Sequence, residues 1–224
     1  MKYLPIHLDI RNKRVVVAGG GAVAERKCQT LLNAGARVRV IAPLIVDSLE
    51  KLRNEGLIEH LARKYRSGDL GSAVLAFAAT NCRETNRALV DEAVQLGIPV
   101  NCLDAPGIST FVSPAVVVRG DLLFTVSTGG RSPALAAKIR GELEERFGDE
   151  YAEAVDILGA IREKLLTGKK NRQYNKGLLK LLVSHDLPKL LKNRSYDEID
   201  HHLRRLFGPE FILQKLGVGK RDQV

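Results

Sequence analysis

Three short stretches carry residue types that could do chemistry. In "NCLDAPG" (101–107) an apolar segment hands one carboxylate, Asp104, to a Pro-Gly loop. An Asp there can form a turn by bonding its own backbone. At the carboxyl end of a strand it can instead take or orient a proton. In "VVVAGGGAVAERK" (15–27) Gly19, Gly21 and Ala24 fall in the pattern G-x-G-x-x-A. The first glycine permits a tight turn, the second lets backbone approach a pyrophosphate, and the small third residue lets helix pack on strand. The helix N-terminus that follows offers free N–H groups and its dipole to phosphates. In "STGGRSP" (127–133) the hydroxyls of Ser127 and Thr128, the backbone of Gly129 and Gly130, and the forked donor of Arg131 precede a helix start. Such a loop can bind carboxylates, or it is an ordinary strand-to-helix turn capped by Ser132.

These stretches need elements to hold them. Residues 13–18, "KRVVVA", read as a strand, and "AVAERKCQTLLNAG" has helical apolar spacing that closes on Gly35. "ARVRVIAP" is a second strand, "VDSLEKLRNEG" a helix and "LIEHLA" a short strand. "AVLAFAAT" is continuously apolar, as a strand covered on both faces must be. "RETNRALVDEAVQLG" is a helix and "IPVNCL" a buried strand. This alternation predicts an α/β fold with a Rossmann-like parallel sheet over 1–113. "AVVVRGDLLFTVST" reads as a hairpin about Gly120-Asp121, and "SPALAAKIRGELEERFG" as a helix with Ser132 as N-cap and Pro133 in its first turn. Together they form a small α+β region over 114–167. Past the polar linker "TGKKNRQYNKG", residues 168–224 read as a basic helical domain.

Composition narrows the class. No apolar run reaches the roughly 18 residues of a membrane span, and "MKYLPIHLDIRNKR" is no signal peptide. Cys28, Cys82 and Cys102 are isolated, so neither a disulfide framework nor a zinc knuckle is expected, and the compartment expected is the cytoplasm. The net charge of +9 is uneven: residues 1–160 hold 20 Lys+Arg against 19 Asp+Glu, and the rest hold 15 against 7. A basic tail can steer an anionic small molecule or form a solvated helical surface. Nucleic acid is not expected, since aromatic residues for base stacking are few.

The glycine motif follows a strand and opens a helix in a β-α-β unit, the context that dinucleotide binding requires. Ala22 and Val23 then open the phosphate-facing helix. The acid that often ends the second strand and bonds the ribose is missing. Ala42, Pro43 and Leu44 stand there instead, so ribose contacts would come from backbone around Pro43 and Leu44. That absence also leaves NADP open on physical grounds. The nicotinamide half should reach the carboxyl ends of the central strands. There "AATN" places Thr80 and Asn81, and the next strand places Asp104. No Tyr is followed four residues later by Lys, and neither His7 nor His60 ends a catalytic strand. By elimination, Asp104 is the catalytic candidate.

Taken together, "LPIHLDIRNKRVVVAGGGAVAERKCQTLLNAGARVRVIAP", "AFAATN" and "NCLDAPGISTFVSPAVVVRGDLLFTVSTGGRSPALA" resemble the precorrin-2 dehydrogenase module of sirohaem synthesis, over roughly residues 1–150. The resemblance implies NAD-dependent oxidation of precorrin-2, an anionic tetrapyrrole, to sirohydrochlorin. Some members also insert ferrous iron. It implies an active-site role for Asp104, nucleotide contacts at Ala22-Val23 and Pro43-Leu44, and a homodimer through residues matching 114–150. The missing ribose acid is a trait of the family. One departure is Thr128, where some members use a serine near the substrate; Ser127 matches directly. The methyltransferase fused to some members is not expected in this chain. No resident metal is expected either: His201 and His202 are adjacent, so on a helix they point about 100° apart, with His185 further off. A competing class is an NAD(H)-sensing regulatory domain without chemistry, which would need neither Asp104 nor the 127–131 loop.

Overall fold

The computed structural model describes residues 2–167, 176–184 and 186–218. They divide into two compact units: residues 2–113 with 129–131, and residues 114–128 with the described residues of 132–218.

In the first unit, β1 (Arg14–Ala18), β2 (Arg37–Ile41), β3 (Ile58–Leu61), β4 (Ala73–Ala78) and β5 (Val100–Cys102) form one parallel sheet in the order β3-β2-β1-β4-β5. The helices α1 (Ala22–Asn33), α2 (Asp47–Asn54) and α3 (Arg83–Gln95) are its crossovers. Central β1 has Val15, Val16, Val17 and Ala18 fully buried. Val15 and Val17 pack with Cys28 and Leu31 of α1, whereas Val16 and Ala18 pack with Leu89 and Val90 of α3. Two apolar faces on one strand demand a helix on each side, which explains the unbroken run of valines. The chain leaves β1 in one direction through β2 and β3, and the fourth strand, β4, returns to the other side of β1. The strand order therefore reverses between β1 and β4, where a crevice opens at the carboxyl ends.

The edge of β5 is closed by side chains. Val100 N–H donates to Thr110 Oγ1 at 2.7 Å and Cys102 N–H to Ser109 Oγ at 2.9 Å, while Thr110 N–H donates to Val100 O at 2.9 Å. Residues 103–108, including a 3-10 turn at Pro106–Ile108, are thereby pinned where they leave and where they rejoin the strand.

The second unit opens with the hairpin β6 (Ala115–Arg119) and β7 (Leu122–Val126), turning at Gly120 with φ +56°. Helix α4 (Pro133–Arg146) follows, then α5 (Glu150–Thr167), α6 (Lys176–Ser184), α7 (Leu187–Lys192), α8 (Tyr196–Phe207) and the short α9 (Leu213–Leu216). Ile157 and Ile161 of α5 share one buried core with Leu187, Ile199, Leu203 and Phe207. This corrects the boundary expected near 167: α5 supplies part of the core of the later helices, so the helical region begins before the polar linker. Residues 168–175 of that linker lie outside the described residues. Among the described residues of this region Lys189, Lys192, Arg194 and Arg204 are exposed. Among the described residues no helix is long and apolar enough to cross a membrane.

Leu203 has no exposed surface in this core. Leu203→Ala is expected to destabilise the protein by about 2–5 kcal/mol, through lost burial and a residual cavity. Urea unfolding reads this directly; a loss below about 1 kcal/mol would contradict the packing described.

Candidate active site

Gly19, directly after β1, has φ +131°, and a Cβ on it would strike the carbonyl oxygen of Ala79 behind β4. Ala79 N–H donates to Ala18 O at 2.7 Å, so the two loops touch through backbone alone. Gly20 is as confined, since a Cβ there would strike Leu44 O behind β2. Gly21 differs: its φ is −91° and nothing lies within 4 Å of a Cβ built on it. It is the N-cap of α1 and provides no side-chain cap, so the first N–H groups of the helix, at Ala22 and Val23, face outward uncapped. Ala24 is fully buried against the sheet, as its small size requires. A cradle floored by glycine and ended by uncapped N–H groups fits a dinucleotide pyrophosphate.

Beside it, Pro43 and Leu44 are exposed, Leu44 at 85%. Their loop is anchored by Ala42, whose N–H donates to Leu61 O at 3.2 Å and whose carbonyl lies 2.9 Å from His60 Nε2. Thus His60 has a positioning task that elimination from catalysis did not reveal.

Behind β4, Thr80 is half-buried and Asn81 exposed. Thr80 is gripped by Asn86, a buried α3 residue that the sequence reading missed. Thr80 N–H and Oγ1 donate to Asn86 Oδ1 at 3.2 and 2.7 Å, and Asn86 Nδ2 donates to Thr80 O at 2.9 Å. The same Nδ2 donates to Asp104 Oδ1 at 3.0 Å, and the Cys102 thiol reaches that oxygen at 3.1 Å. A signal for Asn86 was present: it falls with Leu89, Val90 and Ala93 on the buried stripe of α3. A lone amide at such a position needs partners.

Electrostatics agree with these contacts. The Cys102 thiol hydrogen bond holds the Asp104 carboxyl below its ordinary value, aided by the Asn86 amide and the Arg83 charge, against a burial penalty. Burial, then Asp104 itself, pushes the Cys102 thiol up to about 11. Cys102 therefore stays protonated and acts as a donor, not as a nucleophile. Asp104 is exposed and ionised at neutral pH. Such a group stabilises positive charge and accepts a proton from a cation better than it abstracts one from a neutral carbon.

The structure thus gathers Gly19, Gly21, Ala22, Val23, Ala24, Pro43, Leu44, Thr80, Asn81 and Asp104 at one edge of one sheet. The loop from β7 to α4 is a separate feature: Ser127 and Thr128 group with the second unit, Gly129–Arg131 with the first. Thr128 Oγ1 accepts from Ser132 N–H at 3.0 Å, and Ser132 Oγ caps α4 by accepting from Leu135 N–H at 3.3 Å. A threonine hydroxyl therefore suffices to shape this turn. Ser127 and Arg131 are exposed. Among the described residues no group of three His, Cys, Asp or Glu side chains is placed to hold a metal, and His185 lies outside them.

The sheet order, the glycine cradle and the open helix N-terminus define a Rossmann-type nucleotide-binding protein. Comparison with known proteins agrees. An NAD(P)-binding family model matches residues 6–115, and the model of the sirohaem biosynthesis protein central region matches residues 119–146. Siroheme synthase of Methylobacillus flagellatus is 40% identical over 176 residues, 77% of this chain and 38% of that protein. Siroheme synthase of Nitrosomonas europaea is 39% identical over 166 residues, 74% of this chain and 35% of that protein. The chain thus spans little more than a third of the length of these relatives. The solved structure of SirC, precorrin-2 dehydrogenase, matches 89% of this chain and all of its own, with TM-score 0.70 at 24% identity, which shows a shared fold. The chain belongs to the sirohaem biosynthesis family that these models and relatives define, over its NAD(P)-binding and central regions.

Proposed function

We propose that this chain oxidises precorrin-2 to sirohydrochlorin with NAD as the hydride acceptor. The observation that supports it most is Asp104, an ionised carboxylate fastened by Asn86 and Cys102 at the sheet edge that carries the glycine cradle. Ala22 and Val23 hold the pyrophosphate through N–H groups, and Gly19 and Gly21 give it room. Pro43 and Leu44 flank the adenosine half; Thr80 and Asn81 face the nicotinamide half. When bound, the nicotinamide supplies the acceptor for one hydride. As hydride leaves, the tetrapyrrole gains positive charge; Asp104 stabilises that charge and takes up the proton released. Ser127, Thr128, Gly129, Gly130 and Arg131 serve the carboxylates of the tetrapyrrole, and the basic stretch 161–224 favours its approach.

Residues 42–46 contain no Arg or Lys to pair with a 2′-phosphate, which favours NAD over NADP. Calorimetry should show tighter binding of NAD; tighter binding of NADP would reverse this choice. The function is tested by anaerobic turnover of precorrin-2 with NAD, followed by absorbance. A parallel arm with ferrous iron reads whether sirohaem follows. Nucleotide binding without turnover would instead identify a sensing domain.

The active form is a homodimer built from residues 114–150. A two-stranded hairpin is marginal alone, and Val118, Leu123 and Leu135 on this hairpin and α4 are exposed at 55%, 37% and 49%. Sedimentation at micromolar concentration should give twice the chain mass of 24.6 kDa; a monomer would contradict it.

A further inference from the structure

We propose that Asn86 is a positioning residue that locks Asp104 Oδ1 to the Thr80 loop and leaves Oδ2 as the oxygen presented to substrate. The proposal rests on the dehydrogenase reading above for the word substrate, while the lock itself rests on geometry alone.

The amide of Asn86 is 2% exposed and its orientation is forced. Thr80 N–H can only donate, so the atom it meets at 3.2 Å must be Oδ1. Thr80 O can only accept, so the atom it meets at 2.9 Å must be Nδ2. One hydrogen of Nδ2 is spent on Thr80 O, and the other goes to Asp104 Oδ1 at 3.0 Å. The amide thus uses both donors and both lone-pair directions within one bridge from the loop behind β4 to the loop behind β5. The Cys102 thiol reaches the same Oδ1 at 3.1 Å. Both side-chain donors converge on one oxygen, and among the described residues none meets Oδ2. The carboxylate is therefore fixed in rotation through one oxygen, while the other meets no side-chain donor among the described residues. Because Thr80 lies on the proposed nicotinamide side, the bridge also sets the distance between hydride acceptor and proton acceptor.

Neither of two close replacements does this. Asp at 86 cannot donate to Thr80 O or to Asp104, and it brings a second carboxylate to Oδ1. Ser is too short to span both loops. The charged and titratable neighbours of Asp104 are Cys102 on β5 and Arg83 on α3; the turn Pro106–Ile108 contributes none.

Asn86→Asp and Asn86→Ser test this. The Asp104 carboxyl, labelled with carbon-13 and assigned by its loss in Asp104→Asn, is titrated by NMR in each protein. The midpoint is expected to rise by about one pH unit or more in Asn86→Asp, from like charge, and by less in Asn86→Ser. With precorrin-2, kcat should fall on the order of 10²-fold in Asn86→Asp, as misplacement by about 1 Å implies. KM for NAD should change little, since the pyrophosphate cradle is elsewhere. If Asn86→Asp does not fold, Asn86→Ser alone decides by the direction of its midpoint. An unmoved Asp104 midpoint in a folded variant overturns the lock. A moved midpoint with kcat within twofold of the parent overturns the positioning role while leaving the dehydrogenase reading intact. Failure of the parent protein to oxidise precorrin-2 overturns the reading, and the NMR titration still decides the lock.

Discussion

Asp104→Asn is expected to lower the rate of precorrin-2 oxidation by on the order of 10²–10⁴, the range for losing general acid–base help. The substitution is a clean one in this structure. Asn keeps an oxygen that can accept from Asn86 Nδ2 and the Cys102 thiol, now at 3.0 and 3.1 Å, so the loop keeps its staples. It also keeps the turn-forming capacity of Asp. Thermal stability and NAD affinity should therefore persist while turnover collapses. Near-normal turnover would reduce Asp104 to a turn residue. The pH dependence follows with its sign: the Cys102 and Asn86 donors depress the carboxyl pKa. The active, ionised form is thus present above that lowered value and is lost only as pH falls through it. In kcat/KM the acid limb assigned to Asp104 should lie below the ordinary carboxylate range and should vanish in Asp104→Asn.

Gly21→Asp should abolish dinucleotide binding in a folded protein. Gly21 has negative φ, and no atom lies within 4 Å of a Cβ placed on it, so the chain accepts a side chain there. That open space is where the pyrophosphate must approach the uncapped start of α1. A carboxylate about 4 Å from a phosphate costs about 4 kcal/mol at an effective dielectric of 20, a roughly 10³-fold loss of affinity. Calorimetry gives the affinity and circular dichroism the fold; unchanged NAD affinity would reject the loop assignment. Gly20 should behave in the opposite manner, because a Cβ there meets the backbone of Leu44. Gly20→Ala is expected to disturb the β2 loop itself and to lower thermal stability.

Much of the first unit could be read from the chain. Buried parallel strands advertise themselves through runs such as Val15–Val17, and helices through apolar spacing closed by glycine. The Ser132 cap and the Gly120 turn were legible for the same reason: local chemistry decides them. What escaped was long-range. Nothing in "RETNRALVDEAVQ" says that Asn86 reaches Thr80 six residues back and Asp104 eighteen residues on. His60 and Ala42 meet only because β2 and β3 pair in one register. Ser109 and Thr110 look like loop hydroxyls until they are found closing the edge of β5. The boundary near 167 misled because a polar, basic stretch marks a linker but not which core the preceding helix joins. The helix α5 joined the later one.

The central claim is that hydride leaves a tetrapyrrole at the sheet edge that carries both the glycine cradle and Asp104. The most direct test is the stoichiometry of a single anaerobic reaction of precorrin-2 with NAD. Oxidation of precorrin-2 to sirohydrochlorin transfers one hydride and releases one proton. The account predicts one NADH formed for each precorrin-2 consumed, with the absorbance of sirohydrochlorin rising in step. NAD bound to the protein with no NADH formed, while precorrin-2 persists, would contradict it.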